Sequence, residues 1–233
     1  MDFTTRMVAL LGELRRERNG AVADAMRYYG APYGLNYGVS LPTLRKLARA
    51  QAPDHDFACY LYMQDVRELR LAALHIACPE RLTAGEFPAW AAGIVNSEVA
   101  EEAAFALLCH AGALPELFET WIASPDPLLQ YAALLAASRS PHLTAEWIAP
   151  AVEAVRRNAA APAAAHPPAC GVAATAGASY AARLTAQGAV ALLSAAGMQN
   201  EENRQAVLRA AGSLGKLPAE DFVHEELAWR LEA

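Results

Sequence analysis

Met26-Arg-Tyr-Tyr-Gly-Ala-Pro-Tyr-Gly-Leu-Asn-Tyr-Gly-Val-Ser-Leu-Pro-Thr-Leu-Arg-Lys-Leu-Ala-Arg49 is the stretch from which the rest of the chain can be parsed. Glycines at 30, 34 and 38 interrupt it, and Tyr28, Tyr29, Tyr33 and Tyr37 sit among them. Ser40 can accept a hydrogen bond from a free first-turn N–H, and Pro42 falls where a missing donor costs nothing, so a helix begins at Leu41. At 100° per residue Leu41, Leu44, Leu47 and Ala48 share one side of that helix. Arg45, Lys46 and Arg49 share the other. A short helix with a buried stripe and a basic back, entered through an aromatic loop, sets the scale of the elements on either side.

Upstream, Phe3, Met7, Leu10, Leu11 and Leu14 have amphipathic helical spacing. Arg15, Arg16 and Arg18 suit the negative end of the dipole, and Asn19-Gly20 reads as the stop. Val22, Met26 and Tyr29 mark a short helix before the loop. Downstream, helices are predicted over 56–64 and 66–78. The second carries Val66, Leu69, Ala73, Ile76 and Ala77 as one stripe, widened by Leu71 and Leu74, so it must be covered on several sides. Thr83-x-x-Glu86 has capping-box spacing. Asn96-Ser97 opens a helix through His110, Pro115 begins one to 123, and Asp126-Pro127 leads into 128–138. Ser140-Pro141 or Thr144 starts another to 157, and helices return at 180–196, 201–214 and 219–231. Residues 158–178 are alanine- and proline-rich and almost uncharged, which predicts an irregular, flexible insertion.

Consecutive short helices with several apolar faces fit an all-α superhelix, a solenoid of degenerate HEAT-like repeats spanning 1–233 as one domain. A closed helical bundle is the structural alternative. The composition agrees: 55% of the 233 residues are hydrophobic, much of this alanine, and only 8% are aromatic, with no alternating Val/Ile runs to make a sheet. The net charge of −6 excludes a protein that grips nucleic acid with its whole surface, so any such contact must be a local basic patch. Cys59, Cys78, Cys109 and Cys170 form no C-x-x-C pair and read as small buried hydrophobes in a reducing compartment. Residues 1–19 have no basic segment followed by an apolar core, so no signal peptide is expected, and 158–182 would make a poor membrane span. A cytoplasmic protein is expected.

Tyr37-Gly-Val-Ser-Leu-Pro-Thr-Leu-Arg-Lys-Leu-Ala-Arg49 resembles the G-V-x-x-P-x-x-R-x-L segment of the bacterial AlkD-like DNA alkylation repair family. Arg67-Glu-Leu-Arg-Leu-Ala-Ala-Leu74 is similar to that family's E-x-R-x-x-A-L helix. The resemblance covers about the first 60% of the chain. It implies a HEAT-like superhelix with a DNA-facing groove, and active members are glycosylases that excise N3- and N7-alkylated purines. Their aspartate, in a W-D-x-x-D type segment, stabilises the oxocarbenium-like C1′ as the base leaves. Tryptophans wall the cleft and an arginine follows on a later helix. By this resemblance Ser97 stands in the tryptophan's place and Glu101 in the aspartate's, while Gln130-Tyr-Ala132 holds no arginine.

The candidate catalytic residues are therefore Glu101, with Glu98 and Glu102 on the same helical face. Acids in a first turn also simply complement the helix dipole. Candidate nucleic-acid contacts are Tyr28, Tyr29, Arg45, Lys46, Arg49, Trp90, Tyr131 and Trp147, of which Trp90 and Trp147 would be cleft walls. The tyrosines equally suit anchoring a loop, the cations a solvated face, and Trp90, Trp121, Trp147 and Trp229 plain packing. His75 and His110 read as core residues. The six histidines show no ligand spacing, so neither metal nor cofactor is expected. The resemblance implies a double-stranded-DNA-binding protein with weak or no glycosylase activity. An active glycosylase using Glu101 and a protein-interaction scaffold are the alternatives.

Overall fold

Helix starts are set by side chains that satisfy the first free N–H groups, each contributing about 1 kcal/mol. In the computed structural model, which describes residues 2–31, 33–160 and 179–231, Asp2 caps α1 (Phe3–Arg16), Asn19 caps α2 (Gly20–Tyr28) and Ser40 caps α3 (Leu41–Arg49). Asp54 caps α4 (His55–Tyr62). α5 (Arg67–Ile76) starts without a side-chain cap. The Thr83/Glu86 capping box forms around a single 3-10 turn, after which α6 (Phe87–Gly93) begins with Pro88 in its first turn. Asn96 caps α7 (Ser97–Ala106).

α8 (Leu114–Ile122) and α9 (Pro127–Ser138, capped by Asp126) follow, then α10 (Ile148–Ala160). The chain ends with α11 (Tyr180–Gly197), α12 (Glu201–Ala211) and α13 (Pro218–Leu231). Among the described residues the only β-type pairing is an isolated parallel bridge between Leu35 and Val66. None of their helices is long and apolar enough to cross a membrane.

Three details differ from the sequence reading. Asn19-Gly20 does not stop α1 but starts α2, with the Asn19 side chain accepting from the Val22 N–H. The helix expected through His110 ends at Ala106, and His110 is exposed on a 3-10 turn rather than in the core. The insertion expected over 158–178 lies outside the described residues from 161 on, whereas 158–160 complete α10.

The described residues group into two compact units, 2–107 and 108–231. In the first, α3 packs on α5 and α5 on α7, while α4 lies along α5 and α1 reaches α3 and α4. The contacts follow from the sequence stripes: Leu10, Leu14, Leu44, Ala48, Leu69, Ala73 and Ile76 are all essentially inaccessible. In the second, α9 and α11 make the closest pair. Gly188 permits it, because a Cβ there would come within 2.9 Å of Leu134.

The loop between α2 and α3 depends on Gly38. Its φ of +68° lies in the left-handed region, and a Cβ would sit 2.2 Å from the Asn19 carbonyl oxygen. Both terms oppose any side chain. Gly38→Ala is expected to cost about 2 kcal/mol or more of stability, read as a lower urea midpoint with an unchanged m-value.

Candidate functional site

α5 opens with two opposite charges, Arg67 and Glu68, that are 2% and 0% exposed. Buried charges must be paired and fully hydrogen-bonded to be tolerated. Glu68 accepts the backbone N–H of Tyr37 at 3.1 Å and of Val39 at 3.2 Å, and an Arg67 N–H at 3.0 Å. Arg67 also donates to the Val39 carbonyl at 3.0 Å. Its remaining donors form a two-pronged bond to Glu98 of α7, Nε to Oε2 at 2.8 Å and Nη2 to Oε1. Tyr33 donates its one hydroxyl proton to Glu98 at 2.5 Å, with Asn96 Oδ1 also near the hydroxyl at 3.2 Å. Burial and the Glu98 charge push that phenol far above its usual range, so it stays a proton donor.

One turn further along α7, Glu102 is 4% exposed and held from both sides. Arg45 of α3 grips it with Nε, at 3.1 Å, and Nη2. His75 of α5 lies 2.8 Å from the same carboxylate. Burial alone would raise the Glu102 carboxyl, but the bonds from His75 and Arg45 outweigh it and hold it at about 2. Glu98 and Glu102 thus tie α7 to α3, α5 and the tyrosine–glycine loop. Glu101, between them, is half-buried.

The remaining candidates divide into exposed and buried sets. Tyr28 and Tyr29 are 84% and 49% exposed and form an edge-on pair with ring centres 5.2 Å apart. Lys46 and Arg49 are exposed on α3, as are Arg15, Arg16 and Arg18 at the end of α1. The Arg15 guanidinium lies 5.8 Å from the Tyr37 ring. Arg45, in contrast, has a side chain 41% exposed and pairs with Glu102 through Nε and Nη2. Trp90 and Trp147, expected as cleft walls, are buried instead. Trp90 packs at 4.4 Å between ring centres on Tyr62, whose hydroxyl donates to the Trp90 carbonyl, and Trp147 stacks on Phe118 at 4.9 Å. Tyr131 is buried too, whereas Trp229 is 73% exposed and does not serve packing.

Gln130, where the family resemblance places an arginine, is a core tie. It accepts from Asn158 at 2.5 Å and Thr185 at 3.1 Å and donates to the Ser124 carbonyl at 2.6 Å, joining α9, α10 and α11. Sequence reasoning missed Tyr33, Arg67, Glu68 and His75 as members of the acidic cluster. The available signal was an adjacent Arg-Glu pair on a helix whose other positions are apolar nearly all round.

Residues 10–160 match the family model of DNA alkylation repair enzymes. Comparison with curated proteins finds no match. A solved structure described as "a new family of proteins related to the HEAT-like repeat DNA glycosylases with affinity for branched DNA structures" superposes with a TM-score of 0.67 at 17% identity. The match covers 99% of this chain and 96% of that one. The fold is accordingly all-α and of the HEAT-like repeat type.

Two outcomes follow for stability. Arg67→Met leaves the buried Glu68 and the partly buried Glu98 without their cation and is expected to cost about 3–5 kcal/mol in urea unfolding, part of it recovered by adding Glu98→Gln. A carboxyl whose folded value is depressed contributes stability above its unfolded value and loses it as pH falls. The Glu102 contribution is therefore complete above its ordinary 4.5 and disappears by about 2. Glu102→Gln should lower stability at neutral pH by about 2 kcal/mol, allowing for solvent screening at Arg45, and flatten the loss on acidification through that window.

Proposed function

The chain belongs to the DNA alkylation repair enzyme family, and we propose on that footing that it is a DNA-binding HEAT-like repeat protein in which base excision is weak or lost. The observation that carries this reading is the engagement of Glu98 and Glu102 by Arg67 and Arg45. Excising a cationic alkylpurine leaves positive charge on C1′, and the enzyme helps by presenting a negative field there. A carboxylate already neutralised two-pronged by an arginine supplies little of that field. The acidic face of α7 then serves to fasten helices together. Ser97 and Gln130 occupy the positions where active relatives are expected to carry a tryptophan and an arginine, which supports the same reading.

DNA would be held by the exposed cations of the first unit, Lys46 and Arg49 of α3 and Arg15, Arg16 and Arg18 at the end of α1. Tyr28 and Tyr29 offer exposed aromatic faces nearby in sequence for a sugar or base. A limited set of exposed cations, rather than an overall positive charge, is what a chain of net charge −6 can offer. Because the structural relative has affinity for branched DNA, a branched duplex is the probe of choice alongside a linear one.

Anisotropy titrations across salt concentrations are expected to show binding that weakens steeply with salt. Lys46→Ala/Arg49→Ala should reduce the log–log salt slope by about 2, one for each phosphate contact removed. Duplex containing 7-methylguanine or 3-methyladenine should release base only at the background rate, and Glu101→Gln should leave that rate unchanged. Release above background that Glu101→Gln abolishes would make the protein an active glycosylase instead.

A further inference from the structure

On the α4 side of the first unit, three potential ligand atoms of different chemistry converge outside the acidic cluster of α7. His55 and Cys59 are one helical turn apart on α4, so their side chains share a face. Glu86, from the 3-10 turn before α6, completes the group. His55 Nε2 lies 2.9 Å from Glu86 Oε1, Cys59 Sγ lies 3.8 Å from the same oxygen, and all three ligand atoms fall within 4.8 Å of one another. We propose that His55, Cys59 and Glu86 bind a divalent transition-metal ion of zinc's class, a site that pins α4 to the start of α6.

The donor set suits that choice. Imidazole, thiolate and carboxylate together favour a borderline-soft ion over magnesium or calcium, which prefer oxygen donors. Tetrahedral zinc with ordinary bond lengths needs donor–donor separations of about 3.3–3.7 Å, so the three atoms must move by about an ångström or less. The surroundings already fix two of them. His55 is 2% exposed, with its ring 6.1 Å from that of Trp90. The second oxygen of Glu86 is held by the Thr83 backbone N–H and hydroxyl, each at 2.9 Å, which aims the first oxygen at His55.

His55 Nδ1 is buried without a hydrogen-bond partner, so the site as it stands lacks an outer partner for the ring and rests on the three converging ligand atoms. Glu86 and Cys59 are partly exposed, which gives an ion and a fourth, water ligand a path in. The facing charges are Asp56 and Arg81, which pair with each other at 2.9 Å, so neither dominates the site.

Without an ion the thiol is kept protonated. Burial and the Glu86 charge push it up to about 11. On binding, the S–H bond breaks, an S–metal bond forms and the proton leaves to solvent, with no change of oxidation state. Affinity must therefore fall as pH falls.

The test is a Co2+ titration of the full chain, stripped with chelator, in a Cys78→Ser/Cys109→Ser/Cys170→Ser background where Cys59 is the one thiol. One equivalent should produce a thiolate-to-cobalt charge-transfer band, displaced by Zn2+. Cys59→Ser in the wild-type background should abolish the band, and Glu86→Gln, which keeps the capping geometry, should weaken Zn2+ binding at least about tenfold. Far-UV circular dichroism of each variant separates loss of ligand from loss of fold. Absence of the band in a folded Cys59-only protein, or a band indifferent to His55→Gln and Glu86→Gln, would overturn the proposal.

Discussion

Arg67 is the residue on which the first unit depends. A guanidinium with 2% exposure has no water to fall back on, so every donor must find an acceptor inside the fold. It finds them on three elements at once: Glu68 on its own helix, Val39 in the tyrosine–glycine loop and Glu98 on α7. The cation thus fixes the loop's path and the register of α7 against α5 in one stroke. An apolar residue at 67 could fill the space, but it could not dictate which backbone carbonyl and which carboxylate come to it. The arrangement is specified by geometry as much as stabilised by energy.

The same logic changes how the acids of α7 are understood. Read from spacing alone, Glu98, Glu101 and Glu102 form a negative face suited to a cationic transition state. Placed in the fold, two of them are the receiving ends of inter-helix ties, and the basic helix α3 contributes Arg45 to one of these ties. Lys46 and Arg49, one and four residues further on, are left exposed. A single helix therefore gives one cation to an internal tie and leaves two exposed, although Arg45 and Arg49 lie one turn apart on the same side.

Most of the fold was legible because it rests on local signals. Ser40, Asn96 and Asp126 each cap the helix that their position announces, and the apolar stripes of α1, α3 and α5 are the buried ones. The site was legible only in part. Glu98 and Glu102 can be found by spacing, but their partners lie 31 and 57 residues away in Arg67 and Arg45, and no periodicity encodes that pairing. Trp90 and Trp147 carry no mark in sequence that separates a cleft wall from a core ring. His55 and Cys59 have a one-turn spacing that was open to view, but Glu86 enters from another element and only the tertiary fold supplies it.

α2 has one buried side chain, Ala23, and is held at its start by the Asn19 node and at its end by little more than a turn. Helices with so few apolar contacts sit at the low end of the local stability scale and open independently of the body they adjoin. Amide exchange along 20–28 would run through such local openings, while α5 and α7 wait for global unfolding. The exposed rings of Tyr28 and Tyr29 are carried at the loose end of this helix. Whatever they meet is met by a surface that can still adjust, with part of the interaction energy spent on ordering it.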